Sequence, residues 1–211
     1  MDEPVQAAAY ANADFTEPHE QFVQLFKEVN TLSHVPETVL DLGCGPADVS
    51  VRFARAYPSC IIHALDGSAC MLAEGKKRVT NENLHNRIHF FQGVIPDYSL
   101  PEPVYGTIIS NSLLHHLHNP DVLWEYIRKY ADEHSFVFIM DLKRPDSELS
   151  ARQIVSTYSN DEPDILKRDF YNSLCAAFTP EEVQAQLQEN NLHSLEIKVT
   201  SDRHMIIYGK P

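Results

Sequence analysis

Residues 39–48 read VLDLGCGPAD. Val39, Leu40 and Leu42 form a short apolar run of the kind that makes a buried strand, and Gly43 and Gly45 break it at once. The next run, VSVRFARAY (49–57), has a helical pattern. A strand, a glycine turn and a helix in that order usually hold a nucleotide. In the dinucleotide fingerprint G-x-G-x-x-G the third glycine falls at position 48, which here is Asp48, and Asp41 stands just before the turn. Pyrophosphate settles at helix N-termini because amides and the helix dipole favour anions there. A carboxylate several ångströms away opposes it by a few kcal/mol at intermediate dielectric, and Pro46 removes one amide donor. A dinucleotide is disfavoured, and a P-loop is excluded because no G-K-[ST] follows.

Outward from this turn, strands and helices alternate. SCIIHALD (59–66), RIHFFQG (87–93), GTIISNS (106–112) and SFVFIMDL (135–142) read as strands. SACMLAEGKKRV (68–79) and NPDVLWEYIRKYA (119–131) read as helices, the latter with Asn119 as N-cap and Pro120 opening it. Phe22, Phe26 and Val29, with Leu25 beside them, predict a leading helix over 18–30. After residue 142 the rhythm changes to helices over 147–176, interrupted near Pro163. TPEE (179–182) is a capping box, and LEIKVTSDRHMIIYG (195–209) reads as a terminal hairpin. The expected fold is α/β: a mostly parallel mixed sheet that ends in an antiparallel hairpin. One domain spans 1–211, with an N-terminal helical lid (1–34), a cofactor-binding core (35–142), a probable substrate cap (143–178), and a terminal helix and hairpin (179–211).

The 211 residues carry 17 Lys and Arg against 30 Asp and Glu, a net charge of −13. An acidic surface speaks against nucleic acid or anionic membrane as partner. The four cysteines make no C-x-x-C pair or disulfide framework, the acidic start MDEPVQ does not resemble a signal peptide, and no apolar run reaches a membrane span. A cytoplasmic location with reduced thiols is expected.

A ligand with adenosine, no phosphate and a positive tail suits the acids at the turn. S-adenosylmethionine, with a sulfonium and an ammonium group, is such a ligand. Asp48 either faces these charges or caps the helix. Asp66, at the end of the second strand, is placed to accept both ribose hydroxyls, and Met71 either lies against adenine or packs in the core.

VLDLGCGPADVS (39–50) and ALDGSACML (64–72) resemble the first two motifs of the class I S-adenosylmethionine-dependent methyltransferases. GTIISNSLLHHLHNP (106–120) is similar to their fourth-strand region, where small-molecule members often read L-H-H-L. The resemblance covers about residues 35–145. It implies a Rossmann-like, seven-stranded sheet with helices on both faces. It also implies that Asp41, Gly43 and Gly45 contact the methionine part and Asp66 the ribose. The full set of cofactor contacts expected is Tyr10, Asp41, Gly43, Cys44, Gly45, Asp66, Gly67, Met71, Gly93, Val94, Asn111 and Ser112. Three positions depart from the pattern: Val94 stands where many members have an Asp reading the adenine amino group, Ala47 where a third glycine is usual, and Gly106 where many have an acid.

Ligands of open α/β sheets bind at the carboxyl ends of the strands. His115 and His116 stand there as candidate bases, if the acceptor has a proton to lose; otherwise they pack or cap the loop. H-x-x-H at 115 and 118 invites a metal, but spacing fixes no third ligand, and none is expected. Candidate substrate contacts are Asp14, which with Tyr10 forms the lid sequence YANADF, then Asp141, Arg144, Tyr171 and His204. The expected function is methyl transfer from S-adenosylmethionine to a small molecule. The alternatives are carboxy- or aminopropyl transfer with the same cofactor, and a non-enzymatic ligand sensor.

Overall fold

Strand β1 (Thr38–Leu42) runs parallel to β2 (Ile61–Asp66) on one side and to β4 (Thr107–Asn111) on the other. β3 (Ile88–Gln92) continues outward from β2, and β5 (Phe136–Leu142) from β4. β7 (His204–Gly209) then pairs antiparallel with β5, and β6 (Glu196–Val199) antiparallel with β7. The order β3-β2-β1-β4-β5-β7-β6 reverses between β1 and β4. That reversal opens a crevice at the carboxyl ends of these two strands, where the glycine turn follows β1. The computed structural model describes residues 4–13, 15–30, 32, 35–160 and 162–211.

Alternation along the strands builds two cores. Val39, Ile62, Ile109, Phe136, Phe138 and Met140 face one side, against Phe22 and Phe26 of α2 (Thr16–Val29), Phe53 of α3 (Asp48–Ala56) and Leu72 and Val79 of α4 (Ala69–Asn81). Leu40, Ile108, Val137 and Ile139 face the other, against Leu123, Trp124 and Ile127 of α5 (Asp121–Tyr130) and Val183 and Leu187 of α8 (Pro180–Glu189). Successive strand residues point to opposite faces, so nearly every residue of β5 is buried on one side or the other. A third, smaller cluster joins Ala151 and Ile154 of α6 (Glu148–Tyr158) and Leu174 of α7 (Asp164–Ala176) to Leu142 at the end of β5 and to Ala177, just past α7.

Every strand falls within two residues of its expected bounds, and the capping box at Thr179 and Glu182 forms with both reciprocal hydrogen bonds. Two elements differ. α5 begins at Asp121, with Pro120 outside the helix, because the Asn119 Oδ1 accepts from the Asp121 amide and holds Pro120 in the turn. The N-terminal segment carries a helix of its own, α1 (Pro4–Asn12), whose alanine-rich sequence has no apolar stripe to announce it.

Candidate active site

The glycine turn is wound tightly. Gly43, Gly45 and Ala47 all have left-handed φ values, +71°, +51° and +61°. A Cβ on Gly43 would meet the Leu113 side chain at 2.9 Å, whereas one on Gly45 would meet nothing within 4 Å. The backbone at Gly45 therefore faces open space. The amides around it are already engaged: Gly43 and Cys44 donate to the Leu65 carbonyl (2.9 and 3.1 Å), and Ala47 donates to the Cys44 carbonyl (2.9 Å). Gly45 donates to Asp66 Oδ2 at 2.8 Å, and Pro46 has no N–H. With these donors spent, the turn offers little to a phosphate.

Asp48 plays neither part considered for it. Its carboxylate accepts from Arg52 Nε (2.8 Å) and Arg78 Nη1 (2.6 Å) and lies 2.6 Å from His19 Nδ1. The N-cap is Ala47, with no side-chain cap bond. Burial acts to raise the pKa of Asp48, but the His19 and Arg52 hydrogen bonds outweigh it and hold the carboxyl well below the usual range. Its charge is thus neutralised by its own neighbours, so the case against phosphate rests on the spent amides and the two acids that remain.

Those acids are Asp41 and Asp66. Asp41 is only 2% exposed and accepts a hydrogen bond from Ser50 Oγ. Burial pushes its pKa up to about 7; the Ser50 bond opposes this and the nearby Asp66 charge adds to it. The Cys44 thiol is pushed well above its ordinary value by burial, then by Asp41 and Asp66. The Asp66 carboxylate accepts from the Gly45 and Ser68 amides, both at 2.8 Å, which leaves lone pairs for further donors. Beside it, Met71 is buried while Val94 is 64% exposed, its Cγ2 3.1 Å from where a Gly67 Cβ would sit. Gly93 donates to the Asp66 carbonyl at 3.0 Å, and a Cβ there would strike Tyr98. Among the described residues neither carboxylate has a Lys or Arg partner, and with few free amides and open space above Gly45 the pair fits a cationic, phosphate-free adenosine.

A cavity of about 540 Å³ adjoins this crevice. Its floor is the end of β4, with Asn111 and Ser112, and the 3₁₀ turn Leu114–His116; α1, α2, α7 and the start of β7 close it. His115 Nδ1 lies 2.6 Å from Asp141 Oδ1. Asp141 also accepts from the Leu114 and Leu142 amides at 2.8 and 2.7 Å and is 1% exposed. A ring nitrogen facing a carboxylate carries the proton, so the other nitrogen, Nε2, bears the lone pair. The His116 ring lies beside it, centroids 4.1 Å apart. Desolvation in the cavity wall, then the neighbouring His115, pushes the His116 pKa down to about 4. Burial, then Arg203, does the same for His204. Tyr10 lines the cavity; burial, then Asp141, Asp66 and Asp48, push its pKa up to about 12.

Three expected substrate contacts are not among the residues that line the cavity. Asp141 lies beneath His115 with its oxygens engaged, so it is removed from the cavity. Arg144 is tied to Glu182 of the capping box. Tyr171 packs on α7 with the Arg152 guanidinium 4.9 Å from its ring. His204 lines the cavity, and Asp14 lies outside the described residues. Among the described residues no group of three or more His, Cys, Asp or Glu could hold a metal. The cavity also brings in His19, Phe15 and Tyr158, which no motif marked. Their only sequence signal is the aromatic spacing Tyr10, Phe15, His19, which stack in turn at 4.8 and 5.5 Å.

Residues 39–132 match a family described as a methyltransferase domain. Over that stretch the chain carries a methyltransferase domain, and it is similar to the class I S-adenosylmethionine-dependent methyltransferases. The chain is 28% identical over 167 residues to a demethylmenaquinone methyltransferase of Porphyromonas gingivalis, covering 78% of this chain and 67% of that one. It is 32% identical over 94 residues to a trans-aconitate 2-methyltransferase of Mycobacterium tuberculosis, covering 44% and 33%. Apart from the first, the curated relatives are matched over about a third of their length or less. In fold it is similar to a crystallised S-adenosylmethionine-dependent methyltransferase of Methanococcus maripaludis, TM-score 0.75 at 20% identity, over 100% of this chain and 94% of that one. The cofactor of the family, S-adenosylmethionine, is the ligand that the acidic crevice fits.

Proposed function

We propose that this methyltransferase moves the methyl group of S-adenosylmethionine to a small-molecule acceptor held in the cavity beneath α6 and α7. One observation carries the reading: the acid-lined crevice, without a Lys or Arg partner for Asp41 or Asp66 among the described residues, opens beside a cavity with a carboxylate-backed histidine in its floor. The relatives named for demethylmenaquinone and trans-aconitate act on small molecules, which supports an acceptor of that size.

Bound in the crevice, the cofactor supplies an electrophilic methyl group on a positively charged sulfur. The residues of the chain have the other tasks. Asp66 takes the two ribose hydroxyls on its remaining lone pairs, and Asp41 balances the positive end. Gly43, Cys44 and Gly45 give close backbone approach; Gly67, Met71, Gly93 and Val94 form the adenine side. Tyr10 covers the crevice and keeps water out. Asn111 and Ser112 line the passage between cofactor and acceptor, and His115, oriented by Asp141, receives a proton from an acceptor that has one to lose. His116 and His204 are neutral at pH 7 and serve as hydrogen-bonding walls. Alignment of two bound partners supplies up to about 7–11 kcal/mol of such a reaction's barrier.

The test is calorimetric titration of the folded protein with S-adenosylmethionine and with S-adenosylhomocysteine. Binding of both is expected. A folded protein that binds neither ends the reading. A methyl-group gain in the acceptor's mass separates methyl transfer from carboxy- and aminopropyl transfer.

A further inference from the structure

The walls of the acceptor cavity narrow what it takes. This inference rests on the methyl-transfer reading, and it concerns the chemical class of the acceptor. Phe15, Tyr158, Leu142, Leu166 and Phe170 give the cavity aromatic and aliphatic walls. Among the described residues lining it, three are carboxylates, Glu17, Glu162 and Asp169, and one is a permanent cation, Arg203. That cation is occupied: its guanidinium carbon lies 3.2 Å from the Tyr158 ring centroid and its Nη1 lies 3.1 Å from Asp202 Oδ1. His116 and His204 are held neutral at pH 7, so they do not redress the balance. Asp169 has a partner in Arg168 at 3.8 Å, so Glu17 and Glu162 are the carboxylates that a polyanionic acceptor would meet, with the lining guanidinium already occupied.

The floor adds a second requirement. The His115–Asp141 pair is buried and close, with Nε2 as the nitrogen left to accept a proton. His116 of the same turn, Tyr10 of α1, His19 of α2 and His204 of β7 surround it. None of these is a fixed cation. An imidazole oriented by a carboxylate takes a proton from a hydroxyl that reaches it, and the aromatic walls above the floor suit a hydroxyl carried on an aromatic ring.

We infer that the methyl acceptor is an uncharged aromatic hydroxyl compound, lying between Phe15 and Phe170 with its O–H directed at His115 Nε2. The oxygen forms its bond to the methyl carbon as the carbon–sulfur bond breaks. The O–H proton passes to Nε2 and then to solvent, and the broken bond's electron pair stays on sulfur, cancelling its charge.

The experiment first establishes S-adenosylhomocysteine binding to the folded protein. It then titrates that complex with phenol, 2-naphthol and 4-phenylphenol, with the tricarboxylate trans-aconitate, and with benzylamine. At least one of the three hydroxyl compounds is expected to bind tenfold or more tighter than either of the others, and to gain one methyl group on oxygen when S-adenosylmethionine is supplied. His115→Ala is expected to keep hydroxyl-compound binding within about threefold and to lose methylation at least a hundredfold, with partial rescue by added imidazole. Asp141→Asn, which acts through His115, is expected to lower kcat with little change in KM. Tighter binding of trans-aconitate, methylation of benzylamine in preference to every hydroxyl compound, or a His115→Ala variant of full activity overturns the inference. So does failure of all three hydroxyl compounds to bind the S-adenosylhomocysteine complex, an outcome that leaves the methyl-transfer reading standing. Failure of S-adenosylhomocysteine and S-adenosylmethionine themselves to bind removes that reading too.

Discussion

Asp41 holds a proton in the native protein that it would release in the unfolded chain. Burial raises its pKa to about 7 from the ordinary carboxylate value of 3.8. Between those two values the native state binds more protons than the unfolded one, so stability falls as pH rises through this window and is flat above it. A shift of that size costs on the order of a few kcal/mol. Asp41→Asn keeps an oxygen for Ser50 and has no charge to bury, so its melting temperature at pH 8 should exceed the parent's, while the two match near pH 4. Cofactor binding has the opposite sign. A cation in the crevice favours the ionised carboxylate, so affinity for S-adenosylmethionine should rise from pH 6 to about 7 and then level off. Calorimetry below pH 7 in two buffers of different ionisation heat should detect the released proton; a flat affinity and no proton release would separate Asp41 from the cation. At Asp66 the expectation is simpler. Asp66→Ala loses charged hydrogen bonds and should weaken binding by about 1.5–3 kcal/mol in the same titration. Both acids were legible in the sequence because a strand end fixes where its last side chain lies. Asp48 was not, because the two arginines and the histidine that neutralise it lie 4, 30 and 29 residues away, and only folding brings the two distant ones to it.

At the scale of the element, the glycine turn separates a folding role from a binding role within three residues. Gly43 is hemmed in by Leu113, and Gly45 looks into open space. Both have left-handed φ, which costs a residue with a Cβ about 1–2 kcal/mol. Gly43→Ala adds a clash to that cost and should lower the melting temperature by several degrees. Gly45→Ala should cost only the backbone term, yet place a methyl group where the cofactor lies and reduce its affinity tenfold or more. Thermal melts and calorimetry on the two variants distinguish these outcomes. The helix that closes over this turn has a latch of its own. Arg78 of α4 donates to the Pro46 carbonyl (3.1 Å), to Asp48 (2.6 Å) and to the Ala11 carbonyl of α1 (2.9 Å). Arg78→Met removes all three while His19 and Arg52 still balance Asp48. The cofactor should then dissociate several-fold faster in stopped flow, and residues 11–15 should be cut sooner by protease. Sequence pattern reads an element by its apolar stripe, so it found the strands and the core-facing α2 and missed α1. It also cannot tell which way a helix turns its polar faces. Tyr171 and Asp169 are two residues apart on α7, yet one packs against Arg152 and the small apolar cluster and the other lines the cavity.

In the whole molecule, two large cores clamp the sheet and a third small one holds α6 and α7. The sheet cores fix the strand ends, and with them the cofactor crevice and the His115–Asp141 pair. The packing of α6 and α7 depends on five buried side chains, Leu142, Ala151, Ile154, Leu174 and Ala177, with the partly buried Val155, Phe170 and Tyr171 against them. A unit with so few buried apolar contacts opens at lower free energy than the sheet it covers. Leu174 is fully buried at its centre. Leu174→Ala removes that side chain, a change that typically costs 2–5 kcal/mol when the surroundings do not collapse around the gap. Since the loss falls on a separable cluster, it should appear as local opening before global unfolding. Hydrogen exchange should speed up across residues 148–176 and stay unchanged in β1, β4 and β5, while S-adenosylmethionine affinity stays within about threefold. If exchange accelerates equally in the central strands, α6, α7 and the sheet unfold as one body, and the acceptor cavity is then as rigid as the cofactor crevice beside it.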